Sequence, residues 1–457
     1  MDKILICGYG ISGRAAAELA AKGGKKVVIA DEHISLEMRS AAEKLRRKYP
    51  DTQFISNWKE GHPLPECGSV VVSPGIRKTS PLYKAAARAL LPGGHWFSEL
   101  EFALRKVHCP FVSITGTNGK TTTTELTTAL LKANGINAES TGNIGAALSE
   151  CVLEAEKRKI EFLVIETSSF QLENIAAFPP CPAAVLNLAS DHIDRHGSME
   201  EYARTKFKVF AAPLPAEKRI MNSNLRPWLK RFLPDTAVTD FSAEDPGADF
   251  SLRDTVICWH ERPVFDLKNG SLQGRHNAEN MMAALALLRA VKGEEALFRP
   301  ETAAALAAFK SSPHRMEVFA RKNGVTYVND SKATNPHAVN AAVRQFANGR
   351  NLLLILGGLD KGMDFSELQV SFPHIKQAFL IGSCRETIFS ELSGKVKCRL
   401  SSDFRGAVRD ACAAAVPGDV VMLSPATASM DLFKNYAERG DQFKQIVLEI
   451  LRRVNGN

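Results

Sequence analysis

The stretch Phe111-Val-Ser-Ile-Thr-Gly-Thr-Asn-Gly-Lys-Thr-Thr122 constrains the fold more than any other part of this chain. A short apolar run rich in β-branched residues enters a glycine turn. Lys120 and Thr121 follow, and Thr124 to Leu131 carry a helical pattern. Strand, phosphate loop and helix N-terminus stand in the order that nucleotide binding requires. Glycines let backbone N–H groups close around a polyphosphate, and the helix dipole favours its charge. Lys120 would neutralise the β- and γ-phosphates, and the Thr121 hydroxyl would hold Mg²⁺. The loop is shorter than the usual Walker pattern. Ile114 stands where the first glycine would be, so Gly116, Asn118 and Gly119 form a Gly-x-x-Gly-Lys-Thr turn. A structural turn that merely contains Gly-Lys-Thr is the competing reading, and the strand before it and helix after it favour ATP.

At 457 residues the chain exceeds what one core supports, and two to three domains are expected. The net charge of +8 could suit nucleic acid. The basic residues are scattered, however, and small anionic ligands explain the charge as well, so no nucleic-acid partner is expected. Nine cysteines lie far apart without a Cys-x-x-Cys pair, against both a disulfide frame and a zinc site. No apolar run approaches a membrane span, and the first residues enter a strand and not a signal peptide. A cytoplasmic protein without membrane partners is the expectation.

Lys3 to Asp31 reads as a βαβ opening. It has a Gly-x-Gly-x-x-Gly turn at Gly8, Gly10 and Gly13, and an acid, Asp31, ends the second strand. Alone this says dinucleotide, and an NAD-binding domain is a fair rival. Ser69-Val-Val-Val-Ser-Pro-Gly-Ile76 delivers another glycine loop at a strand's carboxyl end, and Leu91-Pro-Gly-Gly-His95 marks a first boundary. Glu161 to Thr167 and Ala183 to Ala189 are short apolar strands that run into polar clusters. The segment from Glu217 to Leu272 carries a weak signal, and an alanine-rich helix spans Ala278 to Val291. A second boundary falls near Lys310 to Pro313. Strands at Val325–Asn329, Asn351–Leu356, Gln377–Ile381 and Asp419–Leu423 then alternate with helices, which argues for a further α/β domain.

Several polar groups follow strands. Glu166 is either a Mg²⁺ ligand or a solvated strand end. His192 could reach the same cleft or serve structurally, and Lys206 reads by default as a solvated lysine. Loops at Ser312–Glu317, Asn329–Asn335, Gly357–Gly362 and Ser424–Ser429 would jointly build a ligand face.

At this point the chain resembles the Mur ligase family. The resemblance rests on residues 116–122, Gly-Asn-Ile-Gly (142–145), Glu-Thr-Ser-Ser-Phe-Gln-Leu (166–172) and Asp-His-Ile-Asp-Arg-His (191–196). Gly-Arg-His-Asn-x-x-Asn (274–280), Pro-His-Arg-x-Glu (313–317), Asn-Asp-Ser-Lys-Ala-Thr-Asn (329–335) and Leu-Ser-Pro-Ala-x-Ala-Ser (423–429) complete it. The resemblance covers essentially the whole chain. It implies an α/β protein of three domains: a Rossmann-like domain at 1–95, a central P-loop ATPase-like domain at 96–310, and a C-terminal Rossmann-like domain at 311–457.

The implied activity is ATP-dependent amide formation in peptidoglycan precursor synthesis, by a cytoplasmic monomer. The first-domain and final loops resemble those of members that add D-glutamate to UDP-N-acetylmuramoyl-L-alanine; another Mur or folylpolyglutamate-type acceptor is the alternative. By resemblance, Ser12, Asp31, Glu32, Gly75 and Asn143 would lie near the uridine and its diphosphate, with no nicotinamide used. Gly116, Thr117, Asn118, Gly119, Lys120, Thr121 and Thr122 would hold ATP's phosphates. Asn277, Asn280, Arg315 and Asp330 would serve the rest of the nucleotide. Lys332, Thr334, Lys361, Ser424 and Phe433 would surround D-glutamate. Two Mg²⁺ ions are implied, one near Thr121 and Glu166 and one near Glu166, His192 and a carbamylated Lys206.

Overall fold

The computed structural model describes residues 3–310, 312–359 and 363–453. Three sheets organise the chain. The first contains β1 (Lys3–Cys7), β2 (Lys26–Ala30), β3 (Gln53–Ile55), β4 (Cys67–Val72) and β5 (Leu90–Ser98), in the order β3-β2-β1-β4-β5. All its pairings are parallel. The apolar runs Ile4–Cys7, Val27–Ala30 and Val70–Val72 are buried, as parallel strands covered on both faces require. The chain leaves β1 for β2 on one side and β4 lies on the other. Gly8 and Ser73 therefore meet at the switch point, where the Ser73 hydroxyl donates to the Gly8 carbonyl at 2.9 Å. A side chain at Gly13 would overlap that same carbonyl, so only glycine lets the helix Ile11–Lys22 start this close to β1. Leu91–His95 lies inside β5, where Pro92 is accommodated because β5 is an edge strand.

The second sheet runs β14-β13-β12-β11-β10-β9-β6-β8-β7. Its strands are β6 (Phe111–Thr115), β7 (Ala138–Gly142), β8 (Phe162–Glu166), β9 (Ala183–Val185) and β10 (Arg219–Asn222), with β11 (Thr239–Ser242), β12 (Phe250–Arg253), β13 (Val256–Trp259) and β14 (Arg262–Asp266). It is parallel from β7 to β12 and ends in an antiparallel meander. Five of these strands come from the segment whose sequence pattern was weak. They are only four or five residues long and carry polar residues on buried positions, such as Asn222, Asp240 and Ser251, which hides their periodicity.

The third sheet, β15 (Glu317–Lys322), β16 (Val325–Asn329), β17 (Leu352–Gly357), β18 (Ile375–Ile381), β19 (Cys398–Leu400) and β20 (Val420–Leu423), has the order β15-β16-β20-β17-β18-β19. Only β15 is antiparallel. Leu352, Leu354 and Leu356 face one core while Leu353 and Ile355 face the other, so the run shows no polar alternation. By compactness the chain forms two units. The first comprises the chain through Asn187, Glu200–Ser271 and Asn277–Phe309; the second comprises Leu188–Met199, Leu272–His276 and the chain from Lys310. Among the described residues no helix is long and apolar enough to cross a membrane, and all nine cysteines are free thiols.

Candidate active site

In the first unit, β6 delivers the phosphate loop at the carboxyl edge of the second sheet. Gly116 and Gly119 both take left-handed backbone angles, φ +155° and +81°, and Gly119 is the N-cap of the helix Lys120–Ala133. A side chain at Gly119 would overlap Oδ1 of the Asn280 side chain. The loop is clamped from β9. Asn187 accepts from the Asn118 N–H at 2.8 Å through its side chain and from the Thr117 N–H at 3.0 Å through its carbonyl. Its amide donates back to the Asn118 carbonyl at 3.1 Å. Tyr202 closes the other side, its hydroxyl 3.1 Å from that of Thr117. Neither Asn187 nor Tyr202 was expected from sequence. Asn187 carried a usable signal, since it stands just past an apolar strand as Glu166 does.

Two ammonium groups converge on the loop. Lys120 donates to the Gly116 and Thr117 carbonyls at 2.9 and 2.8 Å, and Lys206 donates to the Gly116 carbonyl at 2.8 Å. Lys206 is buried, its Nζ 4.6 Å from the Tyr202 ring centre, and is no solvated surface lysine. Asn280 sits under the loop, accepting from the Thr123 hydroxyl at 3.3 Å and donating to Asn277 at 3.4 Å.

Register explains how Glu166 arrives. It pairs with Ile114 across β8 and β6, one turn of chain before the glycines. Its carboxylate is buried and accepts from Thr121 Oγ1 at 2.7 Å and from Asn143 Nδ2 at 2.8 Å. Asn143 is thus held on the Glu166 carboxylate, a placement the expected uridine role did not anticipate. A hydroxyl and a carboxylate in contact are hard oxygen donors of the kind Mg²⁺ selects. No group of three or more His, Cys, Asp or Glu suited to a metal occurs among the described residues. Mg²⁺ sites that rely on one carboxylate, phosphate oxygens and water do not need one. The residues fit the ion.

The first sheet brings Ser12, Asp31, Glu32 and Gly75 to its carboxyl ends. The Asp31 carboxylate accepts from the Tyr9 N–H at 2.6 Å and the His33 N–H at 2.8 Å, which ties the glycine loop to the end of β2. Ser12 lies in the first turn of the helix Ile11–Lys22, Glu32 is half-buried, and Gly75 is exposed.

The second unit holds the remaining expected residues. Asp330 directly follows β16, is buried, and accepts from Ser424 Oγ at 2.8 Å and the Met316 N–H at 3.1 Å. Burial pushes its carboxyl up to about 7, against the pull of those hydrogen bonds and of Arg315. Arg315 is presented by a strained turn: His314 and Met316 on either side have φ of +67° and +46°. Lys332 lies over the Tyr436 ring, Nζ 3.8 Å from its centre. Phe433 is packed edge-on against Phe404. Thr334 is half-buried on the loop after β16, and Asn335 reaches the Asp191 carboxylate at 3.4 Å. His192, left-handed at φ +57°, caps the short helix Ile193–His196 in this unit, with its Nε2 3.5 Å from Asp191. Lys361 lies outside the described residues. Sequence reasoning missed Arg439, which is fully buried and donates to Ser331, Thr427 and Ala428.

A phosphate loop met by two lysines, with a buried carboxylate held to its threonine from the next parallel strand, is the apparatus of an enzyme that activates a substrate with a nucleoside triphosphate. The Mur ligase middle domain matches residues 114–288, and the Mur ligase glutamate ligase domain matches residues 314–427. The UDP-N-acetylmuramoylalanine--D-glutamate ligase of Geobacillus kaustophilus is 34% identical over 449 residues, 96% of each chain. That of Anaeromyxobacter dehalogenans is 36% identical over 472 residues, 98% of each. Among solved structures, the fold is similar to UDP-N-acetylmuramate-alanine ligase MurC of Thermotoga maritima. The TM-score is 0.60 at 15% identity, over 98% of this chain and 99% of that one. The MurF ligase of the same organism, in complex with ADP, gives 0.56 at 18% identity over 85% and 90%. The chain belongs to the Mur ligase family and is an ATP-using ligase with that family's α/β domains.

Proposed function

We propose that this enzyme joins D-glutamate to the L-alanine carboxylate of UDP-N-acetylmuramoyl-L-alanine, consuming ATP. The observation that carries the reading is the Lys120 loop set against the Thr121–Glu166 pair. The choice of acceptor is supported by the names of relatives that match nearly the full chain. We assign the uridine and its diphosphate to Ser12, Asp31, Glu32 and Gly75, with Asn143 beside Glu166. The nucleotide falls to residues 116–122 with Asn277, Asn280, Arg315 and Asp330, and D-glutamate to Lys332, Thr334, Lys361, Ser424 and Phe433. The domain limits 1–95, 96–310 and 311–457, a cytoplasmic location and a monomeric state belong to the same proposal.

A carboxylate has a poor leaving group and does not acylate an amine at neutral pH. Its oxygen attacks the γ-phosphorus of ATP, ADP departs, and an acyl phosphate forms. The amine of D-glutamate then attacks the acyl carbon, loses a proton, and the tetrahedral intermediate expels phosphate. Two anions meet in the first step, so neutralising charge is the main catalytic need. Lys120 turns from the Gly116 and Thr117 carbonyls to the transferred phosphoryl group, and the loop's N–H groups hold the rest. Two Mg²⁺ ions would supply further positive charge, held by Thr121 and Glu166 and by Glu166, His192 and Lys206. An ammonium cannot ligate a cation. Lys206 therefore first gives up a proton to become a neutral amine, and its nitrogen then adds to CO₂ and loses a second proton to leave a carbamate; burial, which makes an ammonium costly, supports this role.

The test is phosphate release from ATP with UDP-N-acetylmuramoyl-L-alanine and, in turn, D-glutamate, L-glutamate, L-lysine, meso-diaminopimelate or no amino acid. Release that requires D-glutamate, with a product heavier by one glutamate, is expected. Release with another amino acid alone would reassign the acceptor. For Lys206, a ¹³C carbamate signal from labelled bicarbonate, absent in Lys206→Ala, is the expected outcome.

A further inference from the structure

The first unit contains a cavity of about 800 Å³ that the proposed reaction does not use. It is walled by the end of the helix Ile11–Lys22, the connection Arg105–Cys109 between the first and second sheets, the helix Leu148–Arg158, and the turn into β8. Arg105–Cys109 precede β6, and Lys159 and Ile160 precede β8. The cavity therefore opens at the amino edge of the second sheet, whereas the phosphate loop and Glu166 stand at its carboxyl edge. The two sites lie roughly 15 Å apart, the length of these strands at about 3.3 Å per residue.

Its lining has two parts. Leu19, Val107, Leu153, Ile160 and Leu163 make an apolar interior, and Lys22, Arg105, Lys106, His108 and Lys159 make the polar part; among the described residues no acid lines it. Arg105 is paired with Glu101 at 3.0 Å, while Lys22 donates to the Leu153 carbonyl at 3.4 Å. Among the described residues Lys22, Lys106 and Lys159 pair with no carboxylate, and Lys106 lies over the Phe102 ring. A second cavity of about 720 Å³ beside the same helices differs sharply. There Glu18, Glu150 and Glu154 stand among Arg14, Lys44, Lys48 and Arg158, so most of the lining charge is offset. Of these two cavities, the first combines an apolar body with lining charges of one sign among the described residues.

We propose that this cavity binds an amphipathic anion, a medium-chain acyl group ending in a carboxylate. Its size is that of a small-molecule site at a domain junction, mostly apolar with a few polar groups that fix orientation. The acyl chain leaves water against the leucines and isoleucine, and the carboxylate takes charge-assisted hydrogen bonds from the lysines. A cation would be repelled, and a neutral alcohol would bring no charge to meet the lysines. Such a ligand would touch the end of the helix Ile11–Lys22, the first residues of β8 and the segment that joins the two sheets. The proposal is independent of the ligase reading, since it needs no turnover.

The experiment uses the full chain with decanoate, decanol and acetate, followed by calorimetry and thermal melting. Decanoate is expected to bind one per chain and to raise the melting temperature. Decanol and acetate, each lacking one half of the ligand, are expected to bind at least about tenfold more weakly. Lys106→Glu and Lys159→Glu, each confirmed folded by circular dichroism, should each weaken decanoate by about tenfold. Decanoate should also slow alkylation of Cys109, which lines the cavity, and saturating ATP should not displace it. Equal binding of decanol, unchanged affinity in both variants, an unprotected Cys109, displacement by ATP, or no binding would each overturn the proposal.

Discussion

Arg439 donates from Nε to the Ser331 hydroxyl at 3.0 Å and from Nη2 to the Ser331 carbonyl at 2.8 Å. The same guanidinium reaches the Thr427 and Ala428 carbonyls at 3.1 and 3.3 Å. One buried side chain from the helix Tyr436–Arg453 therefore joins the loop after β16 to the loop after β20, which are 96 residues apart between Ser331 and Thr427. The two loops carry Asp330, Lys332 and Ser424.

Arg439 is accordingly a positioning residue. Arg439→Lys keeps the charge but cannot span four acceptors. It should cost about 2–4 kcal/mol in denaturant unfolding, because buried carbonyls lose donors. Among molecules still folded, KM for the amino acid should rise more than KM for UDP-N-acetylmuramoyl-L-alanine. Equal changes in both would mean that the role is purely structural.

Gly119→Ala tests the phosphate loop without touching a charge. The residue has φ +81°, and a methyl there would press on Asn280 Oδ1. ATP affinity should fall by at least about tenfold, and the melting temperature of the nucleotide-free protein should drop by a few degrees. Isothermal titration with a non-hydrolysable ATP analogue measures the first effect directly.

Asp330 makes stability depend on pH in a stated direction. Burial raises its carboxyl from 3.8 to about 7. Between those values the folded chain holds a proton that the unfolded chain has lost. The stabilisation is therefore complete below pH 3.8 and is lost as the pH rises through 7. The melting temperature of the parent minus that of Asp330→Asn should fall by a few degrees between about pH 5 and pH 8. A flat difference would mean that this carboxyl does not titrate there.

Glu99 ties the first two sheets together. Its buried carboxylate accepts from the Ser149 N–H at 3.0 Å and hydroxyl at 2.6 Å, and burial raises its titration above the usual carboxylate range. Ser149→Ala removes one of the two donors and should destabilise by about 1–3 kcal/mol. Urea unfolding gives the value, and a change below about 0.5 kcal/mol would show that water replaces the hydroxyl.

The parts of the site that could be read in advance were those written in consecutive residues. Residues 111–131 spell strand, loop and helix, and Glu166 and Asp330 each end an apolar run that had to be a buried strand. The weak segment from Glu217 to Leu272 was opaque because its strands are too short to show a period and bury polar groups whose partners lie outside their own strand.

By itself, the chain determined its class of elements, its glycine turns and the residue types gathered at strand ends, since local sterics and hydrophobic period act over a few neighbours. The tertiary structure alone decided which of those groups meet. Asn187 clamps a loop 69 positions away, and Lys206 shares the Gly116 carbonyl with Lys120 from 90 positions on. Asn143 supports Glu166, and Arg439 fixes Ser331. Such pairings follow from strand order and helix docking, where burial rewards contact between residues that no local pattern connects.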